Sequence, residues 1–386
     1  MAIVVAARSE EAATAERNER FYRPELDALR FFAFLGVFIF HAAPRTMDFY
    51  AAAGVPRWLG NLLISTFGAG AYGVDLFFAL SAYLITTLLL RERAATGAVD
   101  LRGFYLRRIL RIWPLYLTFV CFAALAALAI PEQHLPLRYV VGYCLLAGNW
   151  SYVLYGLPVS FAIPLWTVSI EEQFYLAWPL ALRRAPVRMM AAIAVGLLVL
   201  ANVWRVWLAF SSVPIEAMEY NTFTRLDPIA LGILIALFSH RLPQLSRWQR
   251  SALLGGSLAT WIAVYAFSVS SNPPRLSTWK LTLGHPLTAI ASVAILLAAM
   301  GSQHVFLRNR ALLYLGKISY GLYVLHEFAH YCAVRLVHAF SPATVAAQSL
   351  VALALTILLA AASYHWLESP FLRLKERFAH VQSRPV

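Results

Sequence analysis

In the stretch RPELDALRFFAFLGVFIFHAAPR, His41 follows Arg30 by eleven positions, and every residue between them is apolar or glycine. A helix rises about 1.5 Å per residue, so the imidazole sits roughly 16 Å beyond the guanidinium, past mid-membrane if Arg30 marks a boundary. An imidazole there can take a proton from a hydroxyl at neutral pH without carrying permanent charge into lipid. The competing reading is a packing histidine bonded to a neighbouring carbonyl. In GAYGVDLFFALSAYLI, Asp75 lies near one end of a second apolar stretch, with Ser81 about two turns deeper. An aspartate can fix an imidazole tautomer and stabilise its charged form, or it can simply favour a helix N-terminus.

Two further stretches carry charge where charge is costly. In LRGFYLRRILRIWPLY, Arg107, Arg108 and Arg111 cluster at the start of an apolar run, and Arg108 and Arg111 share a helical face. Guanidinium forks suit phosphate, although basic clusters also serve only to orient a chain in the membrane. In IPLWTVSIEEQFYLAWPL, Glu171 and Glu172 lie well inside an otherwise apolar helix, where two carboxylates need partners or a polar cavity. Consecutive helical residues point about 100° apart, so one can face a cavity while the other braces an arginine. Trp166 and Ser169 in that stretch, Arg225 and Asp227 in TFTRLDPIALGILIAL, and Tyr320 and His326 in LGKISYGLYVLHEFAH are candidates for holding a hydroxyl-bearing molecule or for bracing helices. Glu327 and Glu368 are expected to make helix-to-helix hydrogen bonds.

The elements that must position these groups follow from composition. Of 386 residues, 60% are hydrophobic and 13% charged, with a mean hydropathy of +0.65. A soluble domain carries about 25% charged residues, so disorder and an ordinary water-soluble enzyme are excluded. The net charge of +13 points to positive-inside bias and to anionic lipid or substrate rather than nucleic acid. The three cysteines, Cys121, Cys144 and Cys332, lie in apolar stretches without metal-ligand spacing. Buried thiols are expected there, with neither a disulfide framework nor a metal site.

Apolar segments run near 30–44, 71–90, 110–130, 137–152, 163–182, 189–210, 224–239, 252–270, 281–300, 311–338 and 343–367. Arginine-rich clusters at 91–111, 183–188, 241–250 and 308–310, and the basic tail at 373–377, belong on the cytoplasmic side. Parity then requires that one segment not cross, and 137–152, short and carrying Asn149 and Ser151, is the candidate. The expectation is an all-α, polytopic membrane bundle of about ten transmembrane helices with both termini cytoplasmic and a re-entrant or interfacial segment near 137–152. It divides into a cytoplasmic arm at 1–22, a membrane domain at 23–375 and a cytoplasmic tail at 376–386. No secretory signal is expected.

Taken in order, RPELDALR with His41, GVDLFFALSAYLI, FYLRRILRIWPLY, WTVSIEEQFYLAWPL, TRLDPIALG, GKISYGLYVLH and SYHWLESP resemble the acyltransferase type 3 family of integral membrane O-acyltransferases. The resemblance spans roughly residues 21–375. It implies transfer of an acyl group, usually acetyl, from cytoplasmic acyl-CoA to a hydroxyl of a glycan, lipid-linked sugar or other small acceptor, in a bacterial inner membrane. The family's arginine-to-histidine motif matches Arg30 and His41, and its paired-arginine motif matches Arg108 and Arg111. The reading of the residues fits: Arg30, Arg107, Arg108 and Arg111 suit the phosphates of the donor, and His41 is expected to be catalytic as general base or transient acyl carrier, with Asp75, Glu171 and Glu172 beside it. No permanently bound cofactor is implied, acyl-CoA being a co-substrate. Ala82 stands where the family often has glycine, a small-for-small change, and the esterase-like domain that some members carry after the membrane domain is not expected. Two other classes use intramembrane charge: a transporter, which predicts internal repeats that are not visible here, and a glycosyltransferase with a lipid-linked donor.

Overall fold

A computed structural model describes residues 22–211, 213–270, 280–337 and 342–378. The expected arm at 1–22, apart from Tyr22, residues 271–279 and most of the tail lie outside the described residues. The described residues are predominantly helical, and among them there is no strand, only an isolated bridge between His134 and Val159. The principal helices are α1 (Pro24–Ala42), α2 (Gly73–Thr96), α3 (Leu101–Ala129), α4 (Leu137–Cys144), α5 (Gly148–Tyr155), α6 (Leu165–Arg184), α7 (Val187–Ala209), α8 (Leu226–Phe238), α9 (Arg247–Ser270), α10 (His285–Ala299), α11 (Ser319–Leu336) and α12 (Pro342–Ala362).

Among the described residues, seven helical stretches are long and apolar enough to cross a membrane by length and composition. The outer surface agrees: Leu128, Val203, Phe267, Leu350 and Leu358 are large, apolar and exposed, as lipid requires. Three helices of similar length fall outside the seven: α1, α6 and α11. These carry Arg30 and His41, Glu171 and Glu172, and Tyr320, His326 and Glu327. Helices with that much polar content are tolerated in a bilayer only where the polar groups face protein or a cavity, and α1 and α6 lie within the core, with Phe34, Leu165 and Ile170 buried completely.

Local chemistry places the ends. Asp100 caps α3, its side chain accepting the Gly103 N–H at 3.0 Å. Gly97, at φ +80°, closes α2. A helix at Arg57–Gly68, lying between the first two expected apolar segments, runs through a tight turn at Ala69–Tyr72 directly into α2. Gly70 in that turn meets Gly36 of α1 backbone to backbone, and a Cβ at residue 70 would strike the Gly36 carbonyl. The 137–152 segment does not form one span: it breaks into α4 and α5 at Leu146, whose φ is +57°. Asn149 holds the break in place by donating to the Tyr220 carbonyl at 3.0 Å and to Thr222 Oγ1 at 2.9 Å, while Gln173 donates to its Oδ1 at 2.9 Å. Cys121 and Cys144, expected to be buried, are exposed on the apolar outer surface, and Cys332 is half-buried.

Side-chain-to-backbone bonds gather the helix ends carrying the basic clusters onto one face. Arg93, at the end of α2, donates to the carbonyls of Leu182 and Ala185 at the end of α6, at 2.9 and 2.7 Å. Arg107, at the start of α3, donates to the Phe378 carbonyl at 2.5 Å. Arg250, at the start of α9, donates to Ala298 and Met300 at the end of α10. Gly301 then donates to Glu25 at the start of α1 at 2.9 Å. Helix α1 therefore runs from this basic face towards the opposite one, with Arg30 near its beginning and His41 in its last turn.

Candidate active site

A cavity of about 1260 Å³, counted with its open mouth, begins at the basic face. Tyr22 and Arg23, at the start of α1, line it together with Arg30, Arg108, Arg111 and the buried Lys375. One stripe of α2 lines its length, from Leu88 through Ile85, Ser81, Phe78 and Phe77 to Val74. That helical spacing of three and four residues spans fourteen positions, or about 21 Å. Asp27 accepts from Arg30 at 2.8 Å, which holds that guanidinium along the wall. Glu171 lines the cavity and accepts from Ser81 Oγ at 2.7 Å and Tyr175 OH at 3.3 Å. Tyr320 also lines it, donating to the Ile112 carbonyl at 3.0 Å.

The cavity closes at Thr167 and Tyr323, where Thr167 Oγ1 donates to the Tyr323 hydroxyl at 2.9 Å and the Phe77 ring stands edge-on to Tyr323. Immediately behind Tyr323, one turn along α11, His326 is completely buried. Its Nδ1 lies 2.6 Å from the Tyr323 carbonyl. A carbonyl only accepts, so Nδ1 carries the hydrogen, and the neutral ring presents its Nε2 lone pair. His41 Nδ1 lies 2.9 Å from that Nε2 and makes its ion-pair contact with Glu327 Oε1. Both neighbours are acceptors, so His41 Nδ1 is the protonated nitrogen, and the His41 Nε2 lone pair is left for a reacting proton. The two imidazoles are stacked, with centroids 5.1 Å apart.

This geometry sorts the residues singled out from sequence. His41 and His326 come together, with Glu327, and His326 is a direct partner of His41. Asp75 does not orient His41. Its carboxylate faces the other way, accepting from Thr288 at 2.8 Å and lying 3.5 Å from Arg225. Glu327 takes the orienting place instead. Arg30, Arg108 and Arg111 share the cavity, whereas Arg107 is turned from it and held by Glu92 at 2.6 Å. Glu171 faces the cavity, but Glu172 braces no arginine by a direct ion pair: it accepts from Trp113 Nε1 at 3.1 Å, and its other oxygen is buried without a hydrogen-bond partner. Tyr320 lines the same cavity as Arg30, Arg108 and Arg111.

The remaining candidates brace helices. Ser169 accepts from Gly148 N–H and donates to the Leu165 carbonyl. Asp227 pairs with Arg205, a fully buried arginine of α7, and accepts from Asn202 at 3.0 Å. Arg225 ties the 215–225 turn to its neighbours, donating to Glu219 at 2.6 Å, lying 3.2 Å from His285 and stacking over Trp166. Sequence reading missed Lys375, Tyr175 and Tyr323 in the walls, and the contact of Glu327 with His41. The signal for Tyr323 and Glu327 was the spacing of YGLYVLHE, which puts Tyr320, Tyr323 and Glu327 along one side of α11. No metal site was expected either, yet His41, His326 and Glu327 place three ligand-type atoms within 4.8 Å of one another.

A bundle of helices enclosing an arginine-lined cavity, with the buried His326 and the part-exposed His41 just beyond its closed end, is an arrangement suited to group transfer within a membrane. The acyltransferase type 3 family model, described as an acyltransferase domain, matches residues 23–365, and the chain belongs to that family. It is 27% identical over 380 residues to the O-acetyltransferase OatA of Staphylococcus aureus (strain NCTC 8325 / PS 47), an alignment covering 90% of this chain and 57% of that protein. It is 25% identical over 393 residues to a protein of Staphylococcus aureus (strain MSSA476) whose name assigns O-acetyltransferase activity provisionally, covering 94% of this chain and 59% of the relative. The chain thus spans less than two thirds of the length of these relatives. No solved structure matches it.

Proposed function

We propose that this chain transfers an acetyl or similar short acyl group from acyl-CoA to a hydroxyl of a carbohydrate or other small acceptor, within a bacterial cytoplasmic membrane. The observation that carries the reading is the His41 Nε2 lone pair, set free by Glu327 and His326 at the end of α1 opposite the arginine-lined cavity mouth. The basic face is cytoplasmic on the positive-inside rule. Arg30, Arg108, Arg111 and Lys375 suit the phosphates of CoA, and the pantetheine arm extends along the α2 stripe towards Tyr323. The acceptor approaches from the other face.

His41 Nε2 removes the acceptor hydroxyl proton as its oxygen attacks the thioester carbonyl. The carbon–sulfur bond breaks, and the imidazolium, stabilised by the Glu327 carboxylate, returns the proton to the departing CoA thiolate. The printed names of the S. aureus relatives favour acetyl as the acyl group and oxygen as the acceptor atom. The test is transfer of radiolabelled acetyl from acetyl-CoA by the reconstituted protein to an offered hydroxyl acceptor. His41→Gln keeps a hydrogen-bonding side chain but no basic lone pair, and is expected to lose transfer while still binding acetyl-CoA. Near-normal turnover by a folded His41→Gln protein rejects the assignment.

A further inference from the structure

We propose that the His41–His326–Glu327 cluster is also a site for a borderline divalent cation of the zinc class, and that occupancy there switches His41 off as a base. The second half rests on the function proposed above; the first stands on geometry alone. Two imidazole nitrogens and one carboxylate oxygen, drawn from the last turn of α1 and the middle of α11, form a donor set that zinc accepts with an open fourth position. Bonds of about 2.0–2.2 Å to a tetrahedral ion hold its ligand atoms roughly 3.3–3.5 Å apart. The observed separations bracket that figure: 2.9 Å between the two histidines and 3.8 Å between His326 Nε2 and Glu327 Oε1. Entry of an ion requires His41 and Glu327 to part. Both have room, their side chains being 24% and 25% exposed, and that exposure also provides the entry path.

His326 is already set for the task. Its Nδ1–H is committed to the Tyr323 carbonyl at 2.6 Å, the outer bond that fixes the tautomer of metal-bound histidines. The sequence HEFAH at 326–330 matches H-E-x-x-H, but the ligand set differs from that motif. His330 lies outside the cluster, and the second imidazole comes from α1. The consequence for His41 follows from proton placement. A neutral imidazole that coordinates through Nδ1 carries its hydrogen on Nε2. The cation displaces the Nδ1 proton, the ring proton resides on Nε2, and the lone pair that would receive the acceptor hydroxyl proton is gone.

The experiment uses the full chain in detergent, stripped with chelator and free of acyl-CoA. Zinc chloride is titrated calorimetrically, and cobalt(II) is followed by its visible absorption. One cation per chain is expected, with cobalt bands of the intense four-coordinate type. Both His326→Ala and the isosteric Glu327→Gln should weaken binding about tenfold or more, the scale of losing even an outer partner, while His330→Ala leaves it unchanged. Equal zinc affinity in wild type, His326→Ala and Glu327→Gln, or loss with His330→Ala instead, overturns the site. In the transfer assay zinc should lower kcat without raising the KM for acyl-CoA. A protein that binds one zinc at this cluster and still turns over normally overturns the switch and leaves the site. Failure of the base assignment itself is read separately, from an active, metal-free His41→Gln.

Discussion

The carbonyl of Tyr323 determines proton positions on both histidines. It obliges His326 to donate from Nδ1, so His326 Nε2 can only accept, and with the Glu327 carboxylate also an acceptor His41 must carry its hydrogen on Nδ1. Glu327→Gln removes the charge that stabilises the imidazolium and leaves the shape intact. The transfer rate should fall on the order of 10²–10⁴-fold with acyl-CoA binding unchanged, the usual scale of a proton-transfer contribution. Steady-state kinetics on a variant with a wild-type melting midpoint checks this. On the donor side, Arg108→Ala or Arg111→Ala should raise the acyl-CoA KM, each lost charge-assisted contact costing about 1.5–3 kcal/mol. Arg107→Ala should leave that KM unchanged, because Arg107 faces Glu92. His41, Arg30, Arg108, Arg111 and Glu171 were legible in the sequence, since a lone polar group on an apolar helix has to face something. The pairing of His41 with Glu327 was not. The two are 286 positions apart, and helical position alone made Asp75 look an equal candidate, whereas packing turns Asp75 towards Thr288 and Arg225.

At the scale of elements, hydropathy found the lipid-facing helices and blurred the functional ones. Helices α1, α6 and α11 depart from the apolar pattern because their polar residues face the cavity and the histidine pair. The break between α4 and α5 was foreshadowed by Asn149. The form of the break was not, as it depends on Gln173, Tyr220 and Thr222 from other parts of the chain. Helix contacts within the bundle use small residues for close approach. Gly232 of α8 packs on α2 so tightly that a Cβ there would meet the Ala79 carbonyl, with the Ala82 methyl beside it. A backbone oxygen has no rotamer by which to withdraw. Gly232→Val should therefore destabilise the fold by the overpacking penalty of about 1–3 kcal/mol, read as a lowered melting midpoint in detergent. Because α2 lines the cavity, acyl-CoA affinity should fall in the same variant. An unchanged midpoint would mean that α2 and α8 are less closely packed than described.

The whole molecule sets two chemistries at opposite ends of one helix. Arginines around the cavity mouth share a face with the ends of α2, α6 and α10 and the starts of α1, α3 and α9. The histidine pair lies towards the other end, with the aromatic pair Phe77 and Tyr323 between. Such a layout is directional: a donor as polar as CoA, which does not cross lipid, can enter only from the basic face. Reconstituted vesicles sorted by orientation should therefore consume externally added acetyl-CoA only when that face is outward. Orientation is scored on a background lacking the three native cysteines. Single cysteines replace the exposed residues Ala98, Arg184 and Arg310 on the basic face and Ala53 in the stretch 44–65, which is much poorer in basic residues and so belongs on the opposite side. The first three should react with an impermeant thiol reagent in the same vesicles that consume acetyl-CoA, and Ala53→Cys only in those that do not. Consumption of acetyl-CoA by vesicles whose Ala53→Cys is outward would place the donor entrance on the wrong face. It would also separate the arginine cluster from CoA binding, because guanidiniums beyond the Thr167–Tyr323 closure could not meet the phosphates of a molecule entering from the other side.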